Sequence, residues 1–295
     1  MIPQVAAPDG GPGYLGSSAV AAALTAAAVY LPAAARMRVR GDAWPRHRDA
    51  SFSGGCAALV YAAAGVLPGG PFTVHMAQHL LVAMAAPLLL AVGRPLTLAL
   101  RVLPAGPVRR GVLAAAHSRP AAWLLVPPVA AGLDIGGMWL LYRTPLLAAA
   151  HHQPVLDALV HLHVLAVGLL FSFAVCQLDP VRRRWSPVWR GIALLAAGWA
   201  HASLAKSLYA APPPGVTVST EDLRSAAQLM YYGGDFVEVA LAVVLGAGWY
   251  ASAGRAHRRA VARHSRGGNA ASARTSHGGP RRSGIPLSSP SSYGG

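Results

Sequence analysis

Ionisable residues recur in this chain inside apolar stretches, where such residues are rare. His75 and His79 fall within 72–92, His161 and His163 within 155–176, His201 within 188–210, and Asp235 and Glu238 within 226–250. An ionisable side chain at membrane depth is costly and marks a functional site. His75 and His79 stand four residues apart, so both imidazoles leave one helix face and can bind a single metal ion. Hydrogen bonds to neighbouring helices would satisfy the same pair equally well. His161 and His163 diverge by about 200° around a helix and cannot both face one ion. Asp157 precedes His161 by four residues and suits a carboxylate that orients the second imidazole nitrogen. His161 is therefore the expected ligand and His163 its neighbour.

The remaining candidates stand in similar balance. His201 sits in an apolar run from Leu194 to Leu208, the usual setting of a packing histidine. Asp235 and Glu238 follow Gly233-Gly234, where a backbone can approach a neighbour closely. Two buried carboxylates need a metal or protonated histidines beside them, or must themselves be neutral. Asp134 lies inside Gly132-x-x-x-Gly136, a pattern that also suits helix packing. Met76 and Met230 could supply thioether sulfur, although apolar packing is the ordinary role of Met. The expected ligands are thus His75, His79, His161, His201 and Asp235. Asp134, Asp157, His163, Met76, Met230 and Glu238 are the expected supporting groups. Imidazole with thioether suits copper, and imidazole with carboxylate also suits zinc or iron. No catalytic residue and no organic cofactor site is expected.

Long apolar runs must position these groups. Of the 295 residues 54% are hydrophobic and 12% charged, a composition of transmembrane helices rather than of a soluble domain. Seven segments stand out, at 15–35, 52–68, 72–92, 120–141, 155–176, 188–210 and 226–250. Most reach the roughly 20 residues that cross a hydrocarbon core, 52–68 being short. The reading is an all-α polytopic membrane protein of seven helices over 15–251, with an extracytoplasmic segment at 1–14. A disordered basic cytoplasmic tail is expected over 256–295.

The net charge of +15 could suggest a nucleic-acid partner, but its distribution argues otherwise. Of the 25 Lys and Arg, Arg143, Lys206 and Arg224 fall in one set of alternate loops, and all the others fall in the opposite set or in the tail. That asymmetry is the positive-inside pattern of a multi-pass plasma-membrane protein with its N-terminus outside and C-terminus in the cytoplasm. The partner it implies is the lipid bilayer, and no nucleic acid. With this topology His75, His79 and His161 lie about 5–10 Å below the outer ends of their helices. His201 and Asp235 lie about 13 Å down, so one slab of the outer leaflet collects them all. Met1 to Gly13 hold no Lys or Arg, unlike a cleavable signal peptide, and 15–35 is expected to be a retained helix. Cys56 and Cys176 form no CxxC motif and are expected to stay reduced.

Ordered strings along the chain resemble a known family. Phe72-Thr-Val-His75-Met76-Ala-Gln78-His79 leads to Ala86-Pro87 and Gly93-Arg94-Pro95. His161-x-His163 precedes Gly168-Leu-Leu-Phe171 and Asp179-Pro180, and His201-Ala202 and Met230-Tyr-Tyr-Gly-Gly-Asp235 follow. Over about 70–251 these are similar to the CtaG family of cytochrome c oxidase assembly proteins. The resemblance implies a non-enzymatic membrane assembly factor for a haem–copper oxidase. It further implies cytochrome c oxidase subunits as partners, and copper, at the oxidase's copper centres, as the metal served. The competing readings are a membrane redox enzyme that binds or modifies haem and a metal transporter. A transporter would need polar groups continuing inward, and the cytoplasmic halves of these segments offer almost none.

Overall fold

The computed structural model describes the backbone of residues 14–276 and the side chains of 18–254. All elements among the described residues are helical. In chain order they are α1 (Tyr14–Val39), α2 (Arg46–Ala64), α3 (Pro71–His79), a π-helical turn (Leu80–Ala85) and α4 (Ala86–Val92). Next come α5 (Pro95–Val102), α6 (Pro107–Ala116), α7 (Arg119–Leu124), α8 (Pro127–Arg143) and α9 (Leu146–His152). The chain continues through α10 (Pro154–Cys176), α11 (Pro187–Ala210) and α12 (Thr220–Ser276). Residues 1–13 and 277–295 lie outside the described residues, including most of the expected N-terminal segment and the end of the expected tail. Chain contacts divide at Gly248, and the side chains discussed below belong to the unit ending there.

The seven apolar segments lie largely on helix, 120–141 being broken between α7 and α8, and fewer than seven helices meet the requirements of a membrane span. Ser18–Val39, Pro71–Val102, Pro154–Cys176 and Thr220–Gly254 are long and apolar enough. A fifth is reached if Pro107–Leu124 and Pro127–Arg143, bent by 68°, count as one. α2 spends its first turn on Arg46-His47-Arg48-Asp49, which leaves its apolar part short. α11 carries Arg190 and Lys206 among small Ala and Gly residues.

Proline punctuates the bundle. α3, α5, α6, α8, α10 and α11 each begin with Pro in the first turn, where the missing N–H costs nothing and the fixed φ suits a helix. Pro87 lies deeper, one residue into α4. It cannot donate to Ala83 O, and its ring would crowd that carbonyl in a regular α-helix. The wider π-helical turn before it takes up the misfit, with the Ala86 N–H reaching back five residues to Leu81 O. Such turns inside α-helices are frequent at functional sites.

Two carboxylates cap helices from a distance. Asp222, at the start of α12, accepts from the Phe72 and Thr73 amides at 2.9 Å each and from the Thr73 hydroxyl at 2.6 Å. Those amides are orphan donors of the first turn of α3, so a carboxylate there satisfies them and complements the helix dipole. The helix that carries His75 and His79 is thereby tied to the beginning of α12. Asp179 does the same for α5 through the Leu96 and Thr97 amides. Burial raises the Asp179 carboxyl above its ordinary pKa, and the Thr97 donors pull it back. Asp222→Ala is expected to lower stability by about 1–2 kcal/mol, read as a lowered unfolding temperature in detergent. An unchanged transition would show that the cap contributes nothing.

Three apolar clusters fill the interior. One joins Phe72, Met76, Tyr142, Leu204, Leu208 and Met230. A second joins Leu88, Phe171, Ala174, Leu194, Ala197 and Leu241. The third ties α1, α2 and α5 through Tyr30, Met37, Trp44, Phe52 and Leu98, with the Tyr30 and Phe52 rings stacked at 3.9 Å. Ile135 packs against both of the first two clusters. Cys56 and Cys176 are buried free thiols.

Candidate functional site

α3 delivers His75 and His79 toward α8. Tyr142, fully buried at the end of α8, faces both imidazoles edge-on, at 5.9 and 6.0 Å between ring centroids. Its hydroxyl lies 3.0 Å from His75 Nε2. Beyond His75 stands His151 of α9, at 6.2 Å. Beyond His79 stands His201 of α11, at 6.5 Å with the two ring planes 19° apart. Four imidazoles and a phenol therefore form one file, from exposed His151 to His201, which is 1% exposed.

Two cavities flank this file, and His79 lines both. The first is walled by His79, Asp134, His163, His201 and Glu238, with Met138, Phe171 and Leu241 among its apolar lining. The second is walled by His75, Gln78, His79, Tyr142, Asp157 and His161. His161 bonds the backbone of Asp157, with the carboxylate expected to orient it standing farther off. Its Nδ1 is 2.9 Å from the Asp157 carbonyl oxygen and 3.4 Å from the Asp157 carboxylate. His163 faces the other way and lines the first cavity, so each histidine of the pair serves a different cavity.

Of the two carboxylates on α12, Glu238 lines the first cavity and Asp235 lines neither. Glu238 Oε1 approaches His201 Nδ1 to 3.4 Å, without the alignment of a hydrogen bond. Met76 and Met230 are fully buried in the first apolar cluster. Lys206 is exposed, its Nζ 5.3 Å from the Tyr231 ring.

Small residues make room for the polar ones. A Cβ at Gly234 would strike the His201 ring, and one at Gly198 would strike the Glu238 carboxylate. A Cβ at Gly137 would meet His163 Nε2 at 2.5 Å. Gly132 and Gly136, expected to mediate close packing, have nothing within 4 Å of a built Cβ. The close contact on α8 falls instead on Gly137, the next residue along. Trp139 Nε1 donates to Ala200 O at 3.3 Å and joins α8 to α11 beside His201.

Three ring nitrogens here are buried without a hydrogen-bond partner, namely His79 Nε2 and both nitrogens of His201. A buried polar atom left unpaired costs about 1–3 kcal/mol, so this pair has the character of a ligand-binding element. Its donor set is narrow. Among the described residues, no group of three or more His, Cys, Asp or Glu is placed to hold one metal ion. The pair fits an ion content with few ligands and does not fit a tetrahedral zinc site. The five expected ligands are thus distributed: His79 beside His201, His75 and His161 across the second cavity, Asp235 apart from both.

Sequence reasoning missed His151 and Tyr142. His151-His152 was visible as a histidine pair in the connection before α10, but only folding of α9 brings His151 to His75. Tyr142 carries no signal in the sequence beyond its place at the end of an apolar run.

No solved structure matches this chain. It is 36% identical over 173 residues to an uncharacterized protein of Mycobacterium bovis, a match covering 56% of this chain and 26% of the relative. An uncharacterized protein of Mycobacterium tuberculosis gives the same figures. One of Mycobacterium leprae is 35% identical over 165 residues, covering 52% of this chain and 25% of its own length. The chain thus spans about a quarter of the length of these curated relatives. Residues 28–252 match the family described as cytochrome c oxidase caa3 assembly factor. That range takes in every histidine of the file, both cavities and the Asp222 cap, and on it the chain belongs to the cytochrome c oxidase caa3 assembly factor family.

Proposed function

We propose that this chain is a non-enzymatic assembly factor of the plasma membrane. It spans the bilayer seven times, N-terminus outside, and aids maturation of the copper centres of a haem–copper cytochrome c oxidase through its histidines in the outer leaflet. Family membership supports the assembly role. The observation that carries the copper reading is the file of imidazoles ending in buried, unpartnered nitrogens. When bound, copper would supply a cation that can be passed to a ligand set in the partner oxidase. His75 and His161 on the second cavity, and His79 and His201 on the first, would hold it in turn, with Asp157 and Glu238 orienting imidazoles. His151 and His161, both exposed, offer the first imidazoles on the way in.

The test is oxidase activity and membrane copper content in a deletion strain, with and without added copper. Loss of oxidase activity, restored by the wild-type chain and partly by excess copper, is the expected result. Full oxidase assembly without the chain would overturn the assembly role. A defect indifferent to copper, together with a purified chain that binds none, would overturn the copper reading alone.

A further inference from the structure

The copper reading leaves open how many ligands hold the ion and in which oxidation state. We infer that His79 and His201 form a two-coordinate site for a soft monovalent cation, copper(I), bound between the two imidazoles. The inference rests on the copper reading above and deepens it.

Geometry comes first. An ion bridging two imidazoles fixes how far apart the rings stand, whatever their twist about the metal–nitrogen bonds. Two metal–nitrogen bonds of about 2 Å and the two ring radii bring the centroids to roughly 6 Å. The observed ring centroids stand 6.5 Å apart with the planes nearly parallel, and both rings line the first cavity. Burial comes second. His201 is 1% and His79 8% exposed, and three of their four ring nitrogens lack a partner. The Tyr142 ring covers His79 from the side and the Gly234 backbone closes against His201, so water has little access to the pair.

Donor count then selects the ion. Zinc requires about four ligands, and calcium or magnesium six or more oxygens. A d10 monovalent ion accepts two nitrogens in a line, and imidazole is a suitable donor for copper. Glu238 acts as a positioning residue. A proton on His201 Nδ1 faces its carboxylate at 3.4 Å, which leaves Nε2 as the lone-pair donor. Asp134, on the wall of the same cavity, adds a second carboxyl that can balance the ion's charge.

The experiment uses the purified full chain in detergent, titrated with copper(I) against a colorimetric copper(I) chelator, with X-ray absorption at the copper edge. One copper per chain, with two nitrogen neighbours, is expected. His79→Leu and His201→Leu should each weaken binding by about tenfold or more. His201→Met should retain copper(I) through its thioether sulfur, a rescue that a misfolded variant or a purely structural histidine would not show. Three or more ligand neighbours would overturn the pair. So would undiminished binding in both Leu variants with loss in His161→Leu, an outcome in which the general copper reading survives. A wild-type chain that binds no copper(I) would sink both.

Discussion

Gly168→Ala is expected to be among the most damaging single-methyl changes available in this bundle. The added Cβ would run into the Ala83 carbonyl oxygen, and would also meet Ala83 C at 2.9 Å and Pro87 Cγ at 3.1 Å. None of these atoms can swing aside. Two are backbone and the third belongs to a ring locked to it. Relief requires α10 to part from the π-helical turn, which loosens the cluster around Phe171 and Ala174. The loss should reach about 3 kcal/mol or more, at the upper end for overpacking. In practice that means a unfolding temperature lowered by about 6 °C or more in detergent, or failure to accumulate in the membrane. Gly132→Ala and Gly136→Ala are the matched controls. They meet open space on α8 and should be neutral or stabilising by up to about 1 kcal/mol, because Ala favours helix over Gly. Equal damage at Gly168 and Gly132 would show that the close approach to Ala83 does not govern the loss.

Gly234→Ala should act on the site more than on the fold. Its Cβ would overlap His201 Cε1 and lie 2.5 Å from Nδ1. A ring can rotate where a carbonyl cannot, so a smaller stability loss, about 1–2 kcal/mol, is expected. Rotation, however, turns His201 away from both His79 and Glu238. Copper(I) affinity should therefore fall about as far as in His201→Leu, while Gly233→Ala, which meets the movable end of the Leu80 side chain, should leave it largely intact. The measurement is the same chelator titration, run beside thermal unfolding. Wild-type affinity in Gly234→Ala would mean that the ring's present position is not the one that binds.

The positions of the helices were legible in the sequence because long apolar runs fix them almost alone. Rotation about each helix axis was not, and the site depends on rotation. Asp235 and Glu238 differ by only about 60° on a helical wheel, too little for spacing to choose between them. Packing chose, by setting Gly198 against Glu238. His161 and His163 were correctly expected to diverge, but which one met which neighbour depended on where α8 and α3 lie. The distant caps by Asp222 and Asp179 were equally hidden, since a carboxylate 150 residues from its helix leaves no local pattern. The number of spans shows the opposite limit. Segments 52–68 and 188–210 look apolar in sequence, yet short apolar length in α2 and charges in α11 separate them from the others.

The π-helical turn at Leu80–Ala85 also carries a rule about insertions and deletions. It holds one residue more than an α-helical path over the same rise, so it takes up that residue without turning α3 relative to α4. Below it, α4 is fixed by Pro87 against Gly168. Above it, α3 must aim His75 and His79 at Tyr142. Deleting one residue of 80–85 would return the turn to ordinary winding with α3 and α4 in nearly the same angular relation, whereas deleting one residue of the regular helix between His75 and His79 would turn one imidazole from the other by about 100°. The turn absorbs a change of length that the helix bearing the histidines does not.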